Sequence, residues 1–132
     1  MQSPIRPRVL YADDNKDSCL MLSTLLRFSS IETTSANTID EALRLAQAEQ
    51  FVLYLLDSRF PEGSGLELCR KLREFNSSIP IVFYSGDAGE IDKAKGFTAG
   101  ADAYLVKPHS DTVTPTIFRL LKQSTKGAYQ TL

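Results

Sequence analysis

With 132 residues, 42% hydrophobic and 23% charged, the chain has the length and composition of one soluble globular domain and is too short for two ordinary ones. Its formal net charge is -1, with acidic and basic residues interspersed and no polybasic tract, which argues against direct binding of nucleic acid or anionic lipid. No apolar run approaches membrane-spanning length and the start "MQSPIRPR" lacks the apolar segment of a secretory signal, so a cytoplasmic protein with free, buried thiols at Cys19 and Cys69 is expected.

In chain order, a lead over residues 1–7 precedes a domain over 8–123, and a tail follows over 124–132. "RVLYA" reads as a first strand, followed by a helix from about Lys16 to Phe28 with Leu22, Leu25 and Leu26 facing the core. "IETTS" is a more polar strand that suits a sheet edge. Thr38 and Glu41 have capping-box spacing, predicting a helix from Ile39 to about Glu49. Phe51 to Leu56 form a buried strand. Ser64 and Glu67 repeat the capping spacing before "GLELCRKLREF", with a stripe of Leu66, Cys69 and Leu72. "PIVFYS" is another buried strand. The next helix, near Ile91 to Ala99, carries Gly96 inside it, at a cost of about 1 kcal/mol relative to alanine, and is expected to be mobile. "AYLV" is the fifth strand, and "TPTIFRLLKQ" the last helix, with Thr114 as its cap and Pro115 in first position. Five strand–helix units in series predict an α/β fold: a parallel sheet covered on both faces by right-handed crossovers.

In such sheets ligands bind beyond the carboxyl ends of the strands. There the sequence places Asp13 and Asp14 after strand one, Asp57 after strand three, Ser85 at the end of strand four, and Lys107 with Pro108 after strand five. Three clustered carboxylates repel, and a divalent cation relieves the conflict. An all-oxygen donor set without thiolate or histidine suits Mg2+, or Mn2+ in its place. Lys107 adds a charge that can pair with Asp57 and then with a phosphoryl oxygen, and Ser85 a hydrogen-bond donor to another. These groups suit nucleophilic attack by Asp57 on phosphorus, giving an aspartyl phosphate.

With those residues in place, the chain resembles the receiver domain of two-component response regulators, and among them the single-domain, chemotaxis-type members. The matched features are Asp13 and Asp14, Asp57 in "LLDSRFPEGSGLEL", Ser85 in "YSG", Tyr104 in "GADAYLVKP", and Lys107 with Pro108, spanning about Arg8 to Gln123. The resemblance implies a flavodoxin-like, doubly wound five-stranded parallel sheet of order 2-1-3-4-5 with five helices. It implies Asp13, Asp14 and Asp57 as metal acids, with Arg59 lending its backbone carbonyl to the metal. Asp57 is then the phosphoacceptor, and Ser85, Tyr104 and Lys107 are phosphate reporter, rotameric switch and phosphate clamp. The implied donor is a phosphohistidine on a sensor histidine kinase or a histidine phosphotransfer protein. The implied output is a changed face made by the fourth helix, fifth strand and last helix, read by a downstream protein.

Arg59 and Asp87 flank the site at positions that vary within the family. They are expected to form an ion pair across its mouth and to tune the lifetime of the phosphoryl group. His109, after the Lys-Pro pair, reads as a surface loop histidine.

Two other classes compete with a receiver whose only chemistry is on itself. A magnesium-dependent phosphatase with an aspartyl intermediate, of the haloacid dehalogenase-like kind, usually has a second aspartate where this chain has Arg59, and needs a cap for which no segment is available. Steady turnover of a phosphomonoester would mark it. An adaptor independent of phosphorylation has no physical need for a crowded carboxylate site, and failure to bind Mg2+ or beryllofluoride would mark that class.

Overall fold

The structure is a computed structural model that describes the backbone of residues 6–130 and the side chains of residues 6–123. The expected lead, apart from Arg6 and Pro7, and residues 131–132 of the expected tail lie outside the described residues. Five strands, β1 (Arg8–Ala12), β2 (Glu32–Ala36), β3 (Leu53–Leu56), β4 (Ile81–Ser85) and β5 (Ala103–Val106), pair in parallel in the order 2-1-3-4-5. Between and after them run α1 (Lys16–Arg27), α2 (Ile39–Ala48), α3 (Gly65–Phe75), α4 (Glu90–Ala99) and α5 (Val113–Gln130). This is the flavodoxin-like arrangement, with the polar strand β2 at an edge. Among the described residues no helix is long and apolar enough to cross a membrane.

Strand alternation divides the core into two layers. Val9, Tyr11, Leu53, Leu55, Val82 and Tyr84 pack on Leu22 and Leu26 of α1 and Ile117 and Leu120 of α5. Leu10, Leu56, Tyr54, Ile81 and Phe83 pack on Ala42 of α2, Leu68 and Leu72 of α3 and Ala99 of α4. Each large apolar side chain so buried contributes about 1.5–3 kcal/mol before the entropy of ordering is counted. The central strands are apolar on both faces, so polar groups are accommodated only where these strands end.

Several local expectations shift. On α1 the buried stripe is Cys19, Leu22 and Leu26, whereas Leu25 lies at the margin of the face with 36% of its surface exposed. Asn15 caps this helix by accepting from the Ser18 amide. Thr38 Oγ1 accepts from the Glu41 amide at 3.0 Å, but the Glu41 carboxylate turns to the Asn37 amide instead of completing the box. Ser64 Oγ accepts from Leu66, not Glu67. β3 begins two residues later than the apolar run, with Val52 exposed. α5 begins at Val113 after a 3-10 turn over Ser110–Thr112, so Thr114 is not its cap. Pro115 is then the third helical residue, where its missing amide has no intrahelical partner to lose. The backbone of α5 continues past Gln123 to Gln130. Cys19 and Cys69 are free and buried, and His109 is exposed.

Candidate functional site

Register assembles the site. Ala12 lies opposite both Ala36 and Leu56, and Ser85 opposite Val106. Asp13, Asp57 and Lys107 therefore each stand one step past a strand end, and the ladder continues into them through Asp13 N–H to Ala36 O, Asp57 N–H to Ala12 O and Lys107 N–H to Ser85 O. Among the described residues, Asp13, Asp14 and Asp57 each bring a carboxylate oxygen within 4.8 Å of the others. The Lys107 ammonium donates to Asp13 Oδ2 at 2.7 Å and to Asp57 Oδ2 at 3.5 Å, and lies 5.7 Å from the centre of the Tyr84 ring. Residues separated by as many as 94 positions thus meet at one rim.

The three acids differ in setting. Asp13 is fully buried; its carboxylate accepts from the Tyr11 hydroxyl at 2.5 Å and the Asn15 amide at 2.9 Å as well as from Lys107. Asp14 is exposed and Asp57 half-buried, with its Oδ1 accepting from the Ser58 amide at 2.8 Å. Burial pushes the Asp57 carboxyl above its usual range, and repulsion from Asp13 adds to this against the opposing pull of Lys107. Burial works to lower the Lys107 ammonium, but its hydrogen bond to Asp13 and the charges of Asp57 and Asp13 together outweigh it and leave it raised. Carboxylate oxygens alone, partly dehydrated and short of positive charge, fit a hard divalent cation such as Mg2+.

Ser85 and Tyr104 stand on the other side of Asp57. Leu56 lies opposite Phe83, so continuing the register brings Ser58 level with Ser85. Their hydroxyls are hydrogen-bonded at 2.5 Å. Ser85 Oγ also accepts from the Asp87 amide, and Ser58 Oγ donates to Asp87 Oδ2 at 2.7 Å. Arg59 grips the same carboxylate with two nitrogens, Nε at 2.9 Å and Nη2 at 2.8 Å. Hydrogen bonds from Arg59 and Ser58 hold the Asp87 carboxyl below its usual range. Tyr104 stacks on Phe83, with ring centres 5.5 Å apart, and its hydroxyl donates to the Asp87 carbonyl at 2.7 Å. Tyr104 therefore already occupies an inward seat while Ser85 is turned to Ser58 and Asp87.

Four residues of this arrangement go beyond the sequence expectations. Tyr11 had a signal: two residues before Asp13 on a strand, it points to the same side. Ser58 had one too, as the neighbour of Asp57. Gly65 is required by space, since a Cβ there would overlap the Asp57 carbonyl oxygen. A Cβ on Gly96 would lie 2.9 Å from Tyr104 Cδ2 and 3.2 Å from Phe83 Cδ2. That close approach accounts for a glycine inside α4 better than a need for mobility does.

Comparison with known proteins agrees with this geometry. Residues 9–117 match the family model described as the response regulator receiver domain. The alkaline phosphatase synthesis transcriptional regulatory protein PhoP of Bacillus subtilis is 33% identical over 78% of this chain and 43% of its own length. The cell cycle response regulator CtrA of Brucella ovis is 32% identical over 95% of this chain and 54% of its own. The chain thus spans about half the length of these curated relatives. A CheY-like receiver domain protein from Methanospirillum hungatei superposes with a TM-score of 0.87 at 27% identity, covering 93% of this chain and 99% of that one. The chain belongs to the response regulator receiver domain family of two-component systems.

Proposed function

We propose that this receiver takes a phosphoryl group from a phosphohistidine, on a sensor histidine kinase or a phosphotransfer protein, onto Asp57. The observation that carries the reading is the meeting of Asp57 with Asp13, Asp14 and the Lys107 ammonium in one pocket at the carboxyl end of the sheet. In the transfer, a carboxylate oxygen of Asp57 forms a bond to phosphorus as the bond from phosphorus to the donor's imidazole nitrogen breaks, the electron pair staying on that nitrogen. The later loss of the group to water breaks the bond between Asp57 and phosphorus and returns the carboxylate.

Positioning and charge neutralisation supply most of the catalysis in such transfers. Asp13, Asp14, Asp57 and the Arg59 backbone carbonyl would hold Mg2+, or Mn2+, which when bound neutralises oxygens of the transferring phosphoryl group. Lys107 is charged throughout the physiological range and neutralises a further oxygen, while the Ser58 amide orients the Asp57 carboxylate. Arg59 and Asp87, paired across the mouth of the pocket, limit the approach of water and so lengthen the life of the product.

The phosphoryl group adds about two negative charges and strong acceptors. Ser85 turns to it, and the Asp87 loop that Ser85 and Tyr104 share is re-tensioned. Because Tyr104 is already seated on that loop, phosphorylation changes how firmly the seat is held. The surface of α4, β5 and α5 shifts with it, and a downstream protein that prefers one form reads the difference. Incubation with phosphoramidate or acetyl phosphate and Mg2+ should add one phosphoryl group to the wild type by intact mass, and none to Asp57→Asn. Equal labelling of the variant would overturn the assignment.

A further inference from the structure

Ser58 adjoins the phosphoacceptor, yet its side chain faces the reporter and not the acid cluster. Its hydroxyl has one proton, and Asp87 Oδ2 at 2.7 Å takes it, since an ionised carboxylate only accepts. The hydrogen bond between Ser58 Oγ and Ser85 Oγ must then use the proton of Ser85. The remaining capacity of Ser85 is met by the Asp87 amide at 3.0 Å. Ser85 is buried to 1% exposure, so its donor is fully committed and has no water to exchange with. For Ser85 to donate to a phosphoryl oxygen on Asp57, the bond to Ser58 must break.

We infer that Ser58 is a positioning residue that holds the Ser85 hydroxyl away from Asp57 and thereby opposes the phosphorylated form. The inference rests on Asp57 being the phosphoacceptor and adds the competitor that sets how readily Ser85 responds. The orientation of the chain, Ser85 to Ser58 to Asp87 with Arg59 fixing the far end, keeps Ser58 an acceptor towards Ser85 for as long as Asp87 is held by Arg59. The device is local to the reporter: the Ser58 group that touches Asp57 is its backbone amide, which a side-chain substitution retains.

Beryllofluoride, which mimics the phosphoryl group on a carboxylate, tests this in the presence of Mg2+. Removing one competing hydrogen bond should tighten its binding to Ser58→Ala roughly two- to tenfold relative to wild type, measured by fluorine NMR or titration calorimetry. Ser58→Thr keeps the hydroxyl and should stay within about twofold of wild type. The gain must run through Ser85, so on a Ser85→Ala background the Ser58→Ala substitution should change affinity by less than about twofold. Unchanged or weaker binding by Ser58→Ala, or a gain that persists without the Ser85 hydroxyl, would overturn the role of Ser58 while leaving Asp57 as acceptor. Absence of binding by the wild type itself would overturn both, which separates the two failures.

Discussion

The two ends of the sheet treat charge in opposite ways. At the amino end, Arg8 pairs with Glu49 at 2.6 Å and lies 5.2 Å from the centre of the Phe51 ring. Nearby, Arg73 donates to the carbonyls of Gly100 and Ile79 and to Asp102, whose carboxylate also accepts from the Ile81 amide. Arg8 and Arg73 there each have an anionic partner. At the carboxyl end three carboxylates face one ammonium, leaving two negative charges unmatched. The first arrangement holds strands and helices in place. The second leaves a surplus of negative charge that a divalent cation would relieve and that further anionic charge would increase.

The largest effect separating the ends should come from Arg73→Ala. It removes four hydrogen bonds from a mostly buried guanidinium that ties α3 to the loops before β4 and β5. We expect a loss of about 2–3 kcal/mol in unfolding free energy by urea titration. Beryllofluoride affinity should stay within about twofold, because nothing in this clamp reaches the acid pocket. A large loss of affinity with little loss of stability would reverse the division of labour.

Asp57→Asn should do the opposite in metal-free buffer, raising unfolding free energy by about 1 kcal/mol while removing phosphate uptake. The sign follows from linkage. The folded-state carboxyl is raised, so the native protein binds this proton more tightly than the unfolded chain does. The wild type therefore loses stability relative to the variant as pH rises from the ordinary carboxylate value through the raised one. The difference should be small in acid and constant above that window. A wild type that is more stable than the variant at neutral pH without metal would show that Lys107 overcompensates.

The same contrast explains what was legible in the sequence. Strands β1, β4 and β5 and their parallel pairing follow from apolar runs and the alternation of elements, because burial on both faces leaves few other patterns, whereas the strand order is implied only by the resemblance to receiver domains. Asp13, Asp14, Asp57 and Lys107 were legible as polar residues placed directly after such runs, where each is costly unless used. Leu25 and Thr114 were misplaced because periodicity and capping preferences read one helix at a time, while the face buried and the turn before α5 are set by neighbouring elements. The functions of Ser58 and Gly65 depend on atoms of other segments at close range. Residue type does not reveal that Ser58 comes level with Ser85, and only the paired register does.

The smallest effect on stability, and the sharpest probe of the carboxyl end, belongs to Arg59→Ala. The guanidinium is largely exposed, with 82% of its side chain open to solvent, so screening leaves the pair with Asp87 little to contribute to folding. Urea midpoints of wild type and variant should coincide. If the bidentate grip limits the approach of water as proposed, release of phosphate should nevertheless quicken severalfold. The pair should hold from mildly acidic to alkaline pH, because Asp87 is depressed and loses its charge only below the usual carboxylate range. The excess rate should accordingly be flat with pH across neutrality. An unchanged release rate would mean that this pair belongs with the structural charges of the amino end, despite its position at the opposite rim.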